Sequence, residues 1–505
     1  MSGPATSDAT DASVDVLAIL RGGSGMAPPL LDQPLARFSN RAPVSCAPST
    51  PIRSVLETLR REAIGAMVVV DPDGRPVGVF TLRDVLEKVA LADVDPAAPI
   101  AIVMNENVWT LPAGALGFEA AVLMAREGIR YVLVVENGRL TGVVSESRLF
   151  SVWRGGIGDT SALIRGARDV DEVVAATSGI RTLVDRLLEE RLPAESITRI
   201  VTTLDDLVTQ RLIEIVGAAP ALAGASGCWM ALGSQGRCEQ TLATDQDNAI
   251  VFADTGDADA CREALLPLAR QVNAALDRCG FPSCRGEIMA GNPRWCLSLS
   301  EWRERFAAWI DAPDPQALLN ATIFFDFRPV HGERAVASRL RDWLTRHAAD
   351  RGRFLLPMAR NALENQPPLG LVRDFLLADG GEHPGTLDLK VNGVQPFVEA
   401  ARIYALATGN ATTNTLERLA GLVQSRNLSL VDVEAWAEAF RFIQLLRLRL
   451  NGAQRARGET LHNHLNPGVL NDLERRILKE ALRQAAKLQS RLTRDFSITG
   501  ATFGA

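Results

Sequence analysis

Two aspartates two residues apart, Asp245 and Asp247, stand just ahead of the apolar run Ala249-Ile250-Val251-Phe252. In an extended segment residues i and i+2 face the same side, so their carboxylates converge. Paired oxygen donors at that spacing suit one or two Mg2+ ions, and such ions in turn hold triphosphate oxygens. Upstream, the apolar stretch Trp229-Met230-Ala231-Leu232 runs into Gly233-Ser234. Gly233 lets the backbone approach a phosphate closely, and Ser234 offers a hydroxyl and N–H groups where a helix starts. Asp245 and Asp247 are therefore the candidate catalytic and metal-ligating pair, and Gly233 and Ser234 the candidate seat for the phosphates of a nucleoside triphosphate.

Positioning these groups takes two apolar strands with a tight loop or short helix between them. Ahead of the first strand, residues 160–226 carry helical spacing in Ile180, Leu183, Val184 and Leu187, then in Ile197, Ile200, Leu204 and Leu207. This is read as a helical connector ending in a linker rich in Ala and Gly, Pro220 to Gly227. From about Arg353 onward apolar residues recur at three and four, as in Trp436, Phe440, Ile443 and Leu446 and again in Leu473, Ile477, Ala481 and Leu488. That pattern predicts a helix bundle, its last helix announced by Asn466 as cap and Pro467 at the first position.

The first 150 residues contain a duplication. Met67 to Leu86 aligns without gaps on Tyr131 to Phe150 at a constant offset of 64 residues. Each copy has an apolar run, a turn (Asp73-Gly74; Asn137-Gly138), a second apolar run and a helix start. Asp-Gly and Asn-Gly between such runs are strong hairpin signals. An amphipathic helix precedes each hairpin, through Val55 and Leu59 in one copy and Ala120 and Leu123 in the other.

The copies close on Gly78-Val79-Phe80-Thr81-Leu82-Arg83-Asp84 and Gly142-Val143-Val144-Ser145-Glu146-Ser147-Arg148, and in this residues 41–152 resemble a pair of CBS domains. The resemblance implies binding of adenine nucleotides as effectors, with Thr81 and Ser145 meeting phosphate or ribose and Asp84 holding the ribose hydroxyls. A carboxylate suits a diol because it accepts two hydrogen bonds at once. Arg148 replaces the acid in the second copy. The resemblance also implies a homodimer through this module, and a pair that dimerises without binding nucleotide is the competing reading.

Gly236-Arg237-Cys238-Glu239, followed six residues after the Glu by Asp245-Gln246-Asp247, resembles the nucleotidyltransferase fold of the DNA polymerase β superfamily, and within it the catalytic domain of the protein-PII uridylyltransferase. Cys238 stands where that family has Gly. The likeness implies that Arg237 and Glu239 serve the nucleotide phosphates, and that a third carboxylate lies on the next strand. That strand, Pro282 to Ala290, offers only Glu287 as a catalytic residue; Asp326 is the alternative, its plainer role being a salt bridge to Arg328. Phe325-Asp326-Phe327-Arg328 before Gly332 resembles a second motif of that family and makes Arg328 a candidate substrate contact. Asp388-Leu389-Lys390 with Gly393 and Pro396 resembles the opening of the helical, substrate-binding domain of bacterial nucleotidyltransferases that carry CBS domains. Lys390, one of only four lysines among 54 basic residues, is thereby a candidate phosphate contact.

The expected architecture is α+β and multidomain: an N-terminal segment, partly flexible (1–40), a tandem CBS module (41–152), the helical connector (160–226), a polymerase β-type nucleotidyltransferase domain (227–345) and a C-terminal helix bundle (346–505). The activity implied is Mg2+-dependent transfer of UMP or AMP from a nucleoside triphosphate to an acceptor hydroxyl, with a signalling protein as one possible acceptor. A catalytically inactive nucleotide sensor and a tRNA nucleotidyltransferase are the alternatives. Composition bears on these: a net charge of -6 argues against nucleic acid as partner, since such proteins carry a basic stripe. Seven cysteines without a CxxC pair fit neither a disulfide framework nor a zinc site. His462-Asn463-His464 is read as a polar loop. Lacking a signal peptide and any run of about 18 apolar residues, the chain is expected in the cytoplasm and not in a membrane.

Overall fold

The structure is a computed structural model describing residues 33–38, 43–92, 94–146, 149, 157–254, 256–370, 374–425 and 428–498. The expected N-terminal segment therefore lies mostly outside the described residues, as do Ser147 and Arg148. The fold is α+β and falls into two compact units, one around residues 27–166, the other around 167–189 and 193–505.

The first unit holds the duplication as two three-stranded sheets, β1 (Ser45–Cys46), β2 (Ala66–Val70) and β3 (Pro76–Thr81), then β4 (Thr110–Pro112), β5 (Tyr131–Glu136) and β6 (Arg139–Ser145). In each, the first strand pairs parallel with the second, and the second and third form an antiparallel hairpin. Helix Ile52–Glu62 buries Ile52, Val55 and Leu59 in the first core together with Met67, Val69 and Phe80. The gapless alignment needs one correction. Thr81 faces Ala66 whereas Ser145 faces Tyr131, so β2 and β5 correspond at an offset of 65 and β3 and β6 at 64. The missing residue is in the turn. Asn137 and Gly138, at φ 51° and 77°, make a two-residue hairpin connection, the kind for which Asn-Gly is suited. In the first copy Asp71 instead folds a longer turn, its Oδ1 accepting from the Asp73 and Arg75 amides at 2.9 and 2.8 Å. The slip matters because a one-residue shift moves every side chain to the other face; with the correction Met67, Val68 and Val69 match Val132, Leu133 and Val134, all buried.

The second unit is built on a four-stranded sheet of order β10-β7-β8-β9, with β7 (Cys228–Ala231), β8 (Asn248–Phe252), β9 (Cys296–Ser298) and β10 (Arg328–Gly332). Every residue of β7 and β8 is buried, which explains why both read as continuous apolar runs without alternation. The expected connector is not separate from this unit. Helix Ala194–Ile215 packs against helices Val170–Glu189, Ala258–Arg278 and Leu430–Ala456, because its buried face, from Ile197 to Ile213, is too broad to leave in water. Nor is Pro220 to Gly227 a free linker: Ala218–Gly224 is helical, and Gly332, at φ 95°, runs so close to Gly227 that an added Cβ would lie 2.2 Å from the Gly227 carbonyl oxygen.

The residues of 227–345 and 346–505 share one hydrophobic core. Met230, Trp302, Phe324 and Phe325 belong to the same core as Phe354, Phe397, Ile443 and Leu488 of the C-terminal helices. The last helix, Asp472–Asp495, starts later than expected: Asn471 and Glu474 form a complete capping box, while Asn466 caps only the turn Pro467–Val469. Two reciprocal hydrogen bonds outcompete a single Asn-Pro signal.

Candidate active site

Asp245 and Asp247 lie in an extended segment that leads into β8 rather than within the strand. The residue between them fixes their direction. Gln246 is buried, its Nε2 donating to the Asn273 and Phe281 carbonyls at 2.9 Å and its Oε1 accepting from Asn273 Nδ2 at 2.8 Å. With Gln246 tied inward to helix Ala258–Arg278, alternation turns both aspartates the other way. The Leu232 amide donates to the Asp247 carbonyl at 2.9 Å, which draws the end of β7 alongside. Gly233 follows at φ 54°, and a Cβ there would stand 3.0 Å from Asp247 Oδ2. Any other residue would meet both backbone strain and the carboxylate. Ser234, in the short helix Gly233–Gly236, is half-buried.

The third ligand-bearing group is a thiol. Gln246 and Asn248 amides donate to the Pro282 and Ile288 carbonyls at 3.0 and 3.2 Å, so the segment expected as a strand hangs from the aspartate segment by two ties. Between them it turns, Glu287 N to Cys284 O at 2.9 Å. The turn brings Cys284 to the aspartates, so that one ligand atom each of Asp245, Asp247 and Cys284 lies within 4.8 Å of the others. Glu287 is exposed, at φ 53°, and does not join this group; its expected placement on the next strand is corrected, because Pro282 to Ala290 forms no strand.

Burial, then the Asp245 charge, push Asp247 up from 3.8 to about 6, against the opposing pull of Lys390, of a hydrogen bond from Cys284, and of Arg237. Burial and the two aspartates likewise push the Cys284 thiol up to about 11. Lys390, exposed at the start of the helical turn Leu389–Val394, is thus a cation whose field reaches the aspartates. Asp388 holds that turn, its Oδ1 accepting from the Lys390 and Val391 amides at 2.8 and 3.0 Å. Two carboxylates and a neighbouring thiol whose ligand atoms gather within 4.8 Å make a donor set that a divalent cation fits.

Arg237 and Glu239, expected at the phosphates, are buried in a different network. Arg237 donates to Glu239 Oε2 at 2.8 Å and to Asp326 Oδ2 at 2.9 Å, and Glu239 Oε1 accepts from the Thr415 amide at 2.6 Å. Asp326 is wholly buried and takes two further guanidinium groups, Arg402 and Arg418, each at 2.7 Å. Burial alone would raise its pKa; the three arginines instead hold it well below the usual carboxylate range. The expected Asp326–Arg328 pair is corrected: Arg328 bridges to both oxygens of Asp206 at 2.7 and 2.9 Å. This network pins the loop after Gly236, where an added Cβ would lie 1.8 Å from the Asp326 carbonyl oxygen. It also explains a feature of the motif. Cys238 has φ 59°, a conformation in which Gly is at ease, and Gly is what the uridylyltransferase motif has there.

In the first unit Thr81 and Asp84 are joined before any ligand arrives. Asp84 Oδ2 accepts from the Thr81 amide at 2.8 Å and its hydroxyl at 2.7 Å, and Lys88 Nζ stands 3.1 Å from Oδ1. Burial would raise the Asp84 pKa, but these partners lower it. Ser145 ends β6 opposite Tyr131. Sequence reasoning missed Cys284, Asp206, Arg402 and Arg418. Only Arg402 left a signal, one of two charges, with Glu399, inside the largely apolar Pro396 to Leu406. The rings of His462 and His464, read as a polar loop, gather with His383, whose centroid lies 4.2 and 4.3 Å from theirs.

Three family models match the chain: "CBS domain" over 35–91 and 100–155, "Putative nucleotidyltransferase DUF294" over 178–316, and "Putative nucleotidyltransferase substrate binding domain" over 352–496. The chain joins CBS domains to both DUF294 domains. The nucleotidyltransferase match starts inside helix Val170–Glu189, so the helices read as a connector belong to it. An uncharacterized protein of Methanopyrus kandleri is 29% identical over 120 residues, 23% of this chain and 61% of that protein. The A-adding tRNA nucleotidyltransferase of Aquifex aeolicus is 27% identical over 106 residues, 21% of this chain and 12% of that enzyme. Among solved structures, a CBS domain protein from Pyrobaculum aerophilum complexed with AMP is 33% identical, covering 23% of this chain and 88% of its own, with a TM-score of 0.22. The chain spans about 60% of the length of the first curated relatives it matches. Among the described residues no helix is long and apolar enough to cross a membrane.

Proposed function

We propose that this chain is a divalent-metal-dependent nucleotidyltransferase that moves UMP or AMP from a nucleoside triphosphate to an acceptor hydroxyl, and that its CBS pair binds an adenine nucleotide as effector. The observation that carries the reading is the meeting of Asp245 and Asp247 beside the Gly233 loop, within a segment matched by a nucleotidyltransferase model. A divalent ion held there by the carboxylates would neutralise the triphosphate and favour attack on its α-phosphorus. Gly233 and Ser234 pass the phosphates close to the backbone, and Lys390 offers them a positive charge from the C-terminal helices. Arg237, Glu239 and Arg328 act as positioning residues: with Asp326 and Asp206 they hold the loop that Gly233 opens. The uridylyltransferase likeness points to a signalling protein as acceptor.

A second reading, a nucleotide sensor without catalysis, is favoured by one observation: Glu287 stands outside the aspartate pair, and among the described residues no third carboxylate joins the group of Asp245, Asp247 and Cys284. Incubating the full chain with labelled UTP or ATP, divalent ions and cell extract separates the two. Label on an acceptor, lost in Asp245→Asn and Asp247→Asn, supports the transferase. Metal-dependent triphosphate binding without any labelled product supports the sensor.

For the CBS pair, the support is Thr81 and Asp84 side by side at the end of β3. A homodimer through this module is supported by Leu82, Leu86, Leu91 and Ile102, which stand 61%, 58%, 76% and 61% exposed. A second copy of the same apolar surface is the occupant that a two-fold interface supplies.

A further inference from the structure

We propose that Cys284 is the third protein ligand of the metal site, as a thiolate, and that the site consequently takes a thiophilic divalent ion of the Co2+ or Zn2+ type in preference to Mg2+. The inference rests on the reading of Asp245 and Asp247 as a metal pair and names what that reading leaves open, the missing third donor.

Three observations lead to it. First, the ligand atoms of Asp245, Asp247 and Cys284 lie within 4.8 Å of one another. An ion at the centre of a triangle of that size stands under 3 Å from each corner, so small side-chain rotations reach the roughly 2.0–2.3 Å bonds that oxygen and sulfur make to such ions. Second, the placement of Cys284 is built by the backbone. The Gln246 and Asn248 amides tie down Pro282 and Ile288 on either side of it, and Asn248 Oδ1 fixes the far end by accepting from the Ala290 amide at 2.8 Å. The Asn292 side chain and the Trp295 indole both donate to the Glu287 carbonyl at 3.0 Å, fixing the turn that puts Cys284 inward and Glu287 outward. Third, the chain's other cysteines have no such company: among the described residues this is the one group of three potential ligand side chains so arranged.

The donor set then selects the ion. Mg2+ demands octahedral oxygen and parts with water reluctantly, whereas thiolate sulfur favours softer ions. Two carboxylates and a thiolate fill three positions and leave others for triphosphate oxygens and water, the open arrangement of a catalytic rather than a structural site. On binding, the Cys284 S–H bond breaks, its electron pair goes to the ion, and the proton is released to the buffer, one per ion bound.

The test is a Co2+ titration of the full chain, followed by absorption. Expected is a near-ultraviolet sulfur-to-cobalt charge-transfer band that saturates at one equivalent, disappears in Cys284→Ser, and is abolished in the Asp245→Asn/Asp247→Asn double variant. Affinity for Co2+ should fall about tenfold or more in Cys284→Ser, while that for Mg2+ changes little. Cys284→Asp should lose the band and bind Mg2+ more tightly than wild type. A band that survives in Cys284→Ser, or wild type with no band and no preference for Co2+ over Mg2+, overturns the proposal. Failures remain distinguishable: nucleotidyl transfer with Mg2+ and no cobalt band sinks the thiolate but keeps the transferase, and a Cys284-dependent band without triphosphate binding keeps the ion site but sinks the transferase.

Discussion

Replacing Asp247 by Asn should make the metal-free protein more stable while removing its capacity to hold a metal-bound triphosphate. The magnitude follows from the carboxyl's folded-state pKa of about 6 against an ordinary 3.8. Each tenfold is worth about 1.4 kcal/mol, so ionised Asp247 costs the folded apoprotein about 3 kcal/mol. The cost has a definite sign with pH. A carboxyl raised on folding binds its proton more tightly in the native state, so the penalty is absent well below 3.8, grows as pH rises, and is complete above about 6. In urea titrations with chelator, followed by the fluorescence of Trp229, Trp295 and Trp302 in this unit, Asp247→Asn should gain about 3 kcal/mol at pH 8 and roughly half that at pH 5. Saturating divalent ion and triphosphate should reverse the order, because at a thousandfold excess over Kd the wild type alone gains about 4.1 kcal/mol. A variant no more stable than wild type at pH 8, or a gain of equal size at both pH values, would refute the crowding of the two aspartates.

Three other outcomes are expected. Asp326→Asn leaves Arg237, Arg402 and Arg418 buried without a counter-charge and should destabilise the second unit by about 3–5 kcal/mol in urea; a loss below about 1 kcal/mol would show that the arginines find other partners. Asp84→Ala should weaken calorimetric binding of AMP or ATP by about 1–3 kcal/mol, and unchanged affinity would remove Asp84 from that site. Leu86→Glu should shift the full chain from dimer to monomer in sedimentation without altering its circular dichroism, whereas an unaltered dimer would place the interface elsewhere.

The duplication, the β7-loop-β8 core and the aspartate pair were legible because each depends on residues close in sequence. Asn137-Gly138 forces a hairpin locally, and Asp245-Gln246-Asp247 converges by strand alternation alone. Even there the local view slipped by one residue, since an alignment of side-chain types does not see that a shorter turn moves the register. The helices after residue 353 were legible as amphipathic periods, but their fusion with the sheet into one core was not. Apolar faces say that something must cover them and not what does.

What escaped the sequence is held together across long separations. Asp326 looked like a partner for Arg328, two residues on, yet it sits in the bend before β10 rather than in the strand, and the buried carboxylate collects Arg237, Arg402 and Arg418 from segments 76 to 92 residues away. Once that hub is seen, Arg237 and Glu239 change role. A guanidinium enclosed by two carboxylates has little charge to lend a phosphate, but it makes the Gly233 loop and the helices bearing Thr415 and Arg402 move as one body. Cys284 escaped for the opposite reason. A carboxylate was sought at that point, and a thiol in an Arg-rich chain with seven cysteines carries no sequence signal of its own. Only the two backbone ties around it, set by Gln246 and Asn248, show that the motif which supplies the aspartates also delivers the sulfur. The metal pair and its third neighbour are thus one structural decision: the alternation that points Asp245 and Asp247 outward is the same that exposes the Gln246 and Asn248 amides to the incoming Cys284 turn.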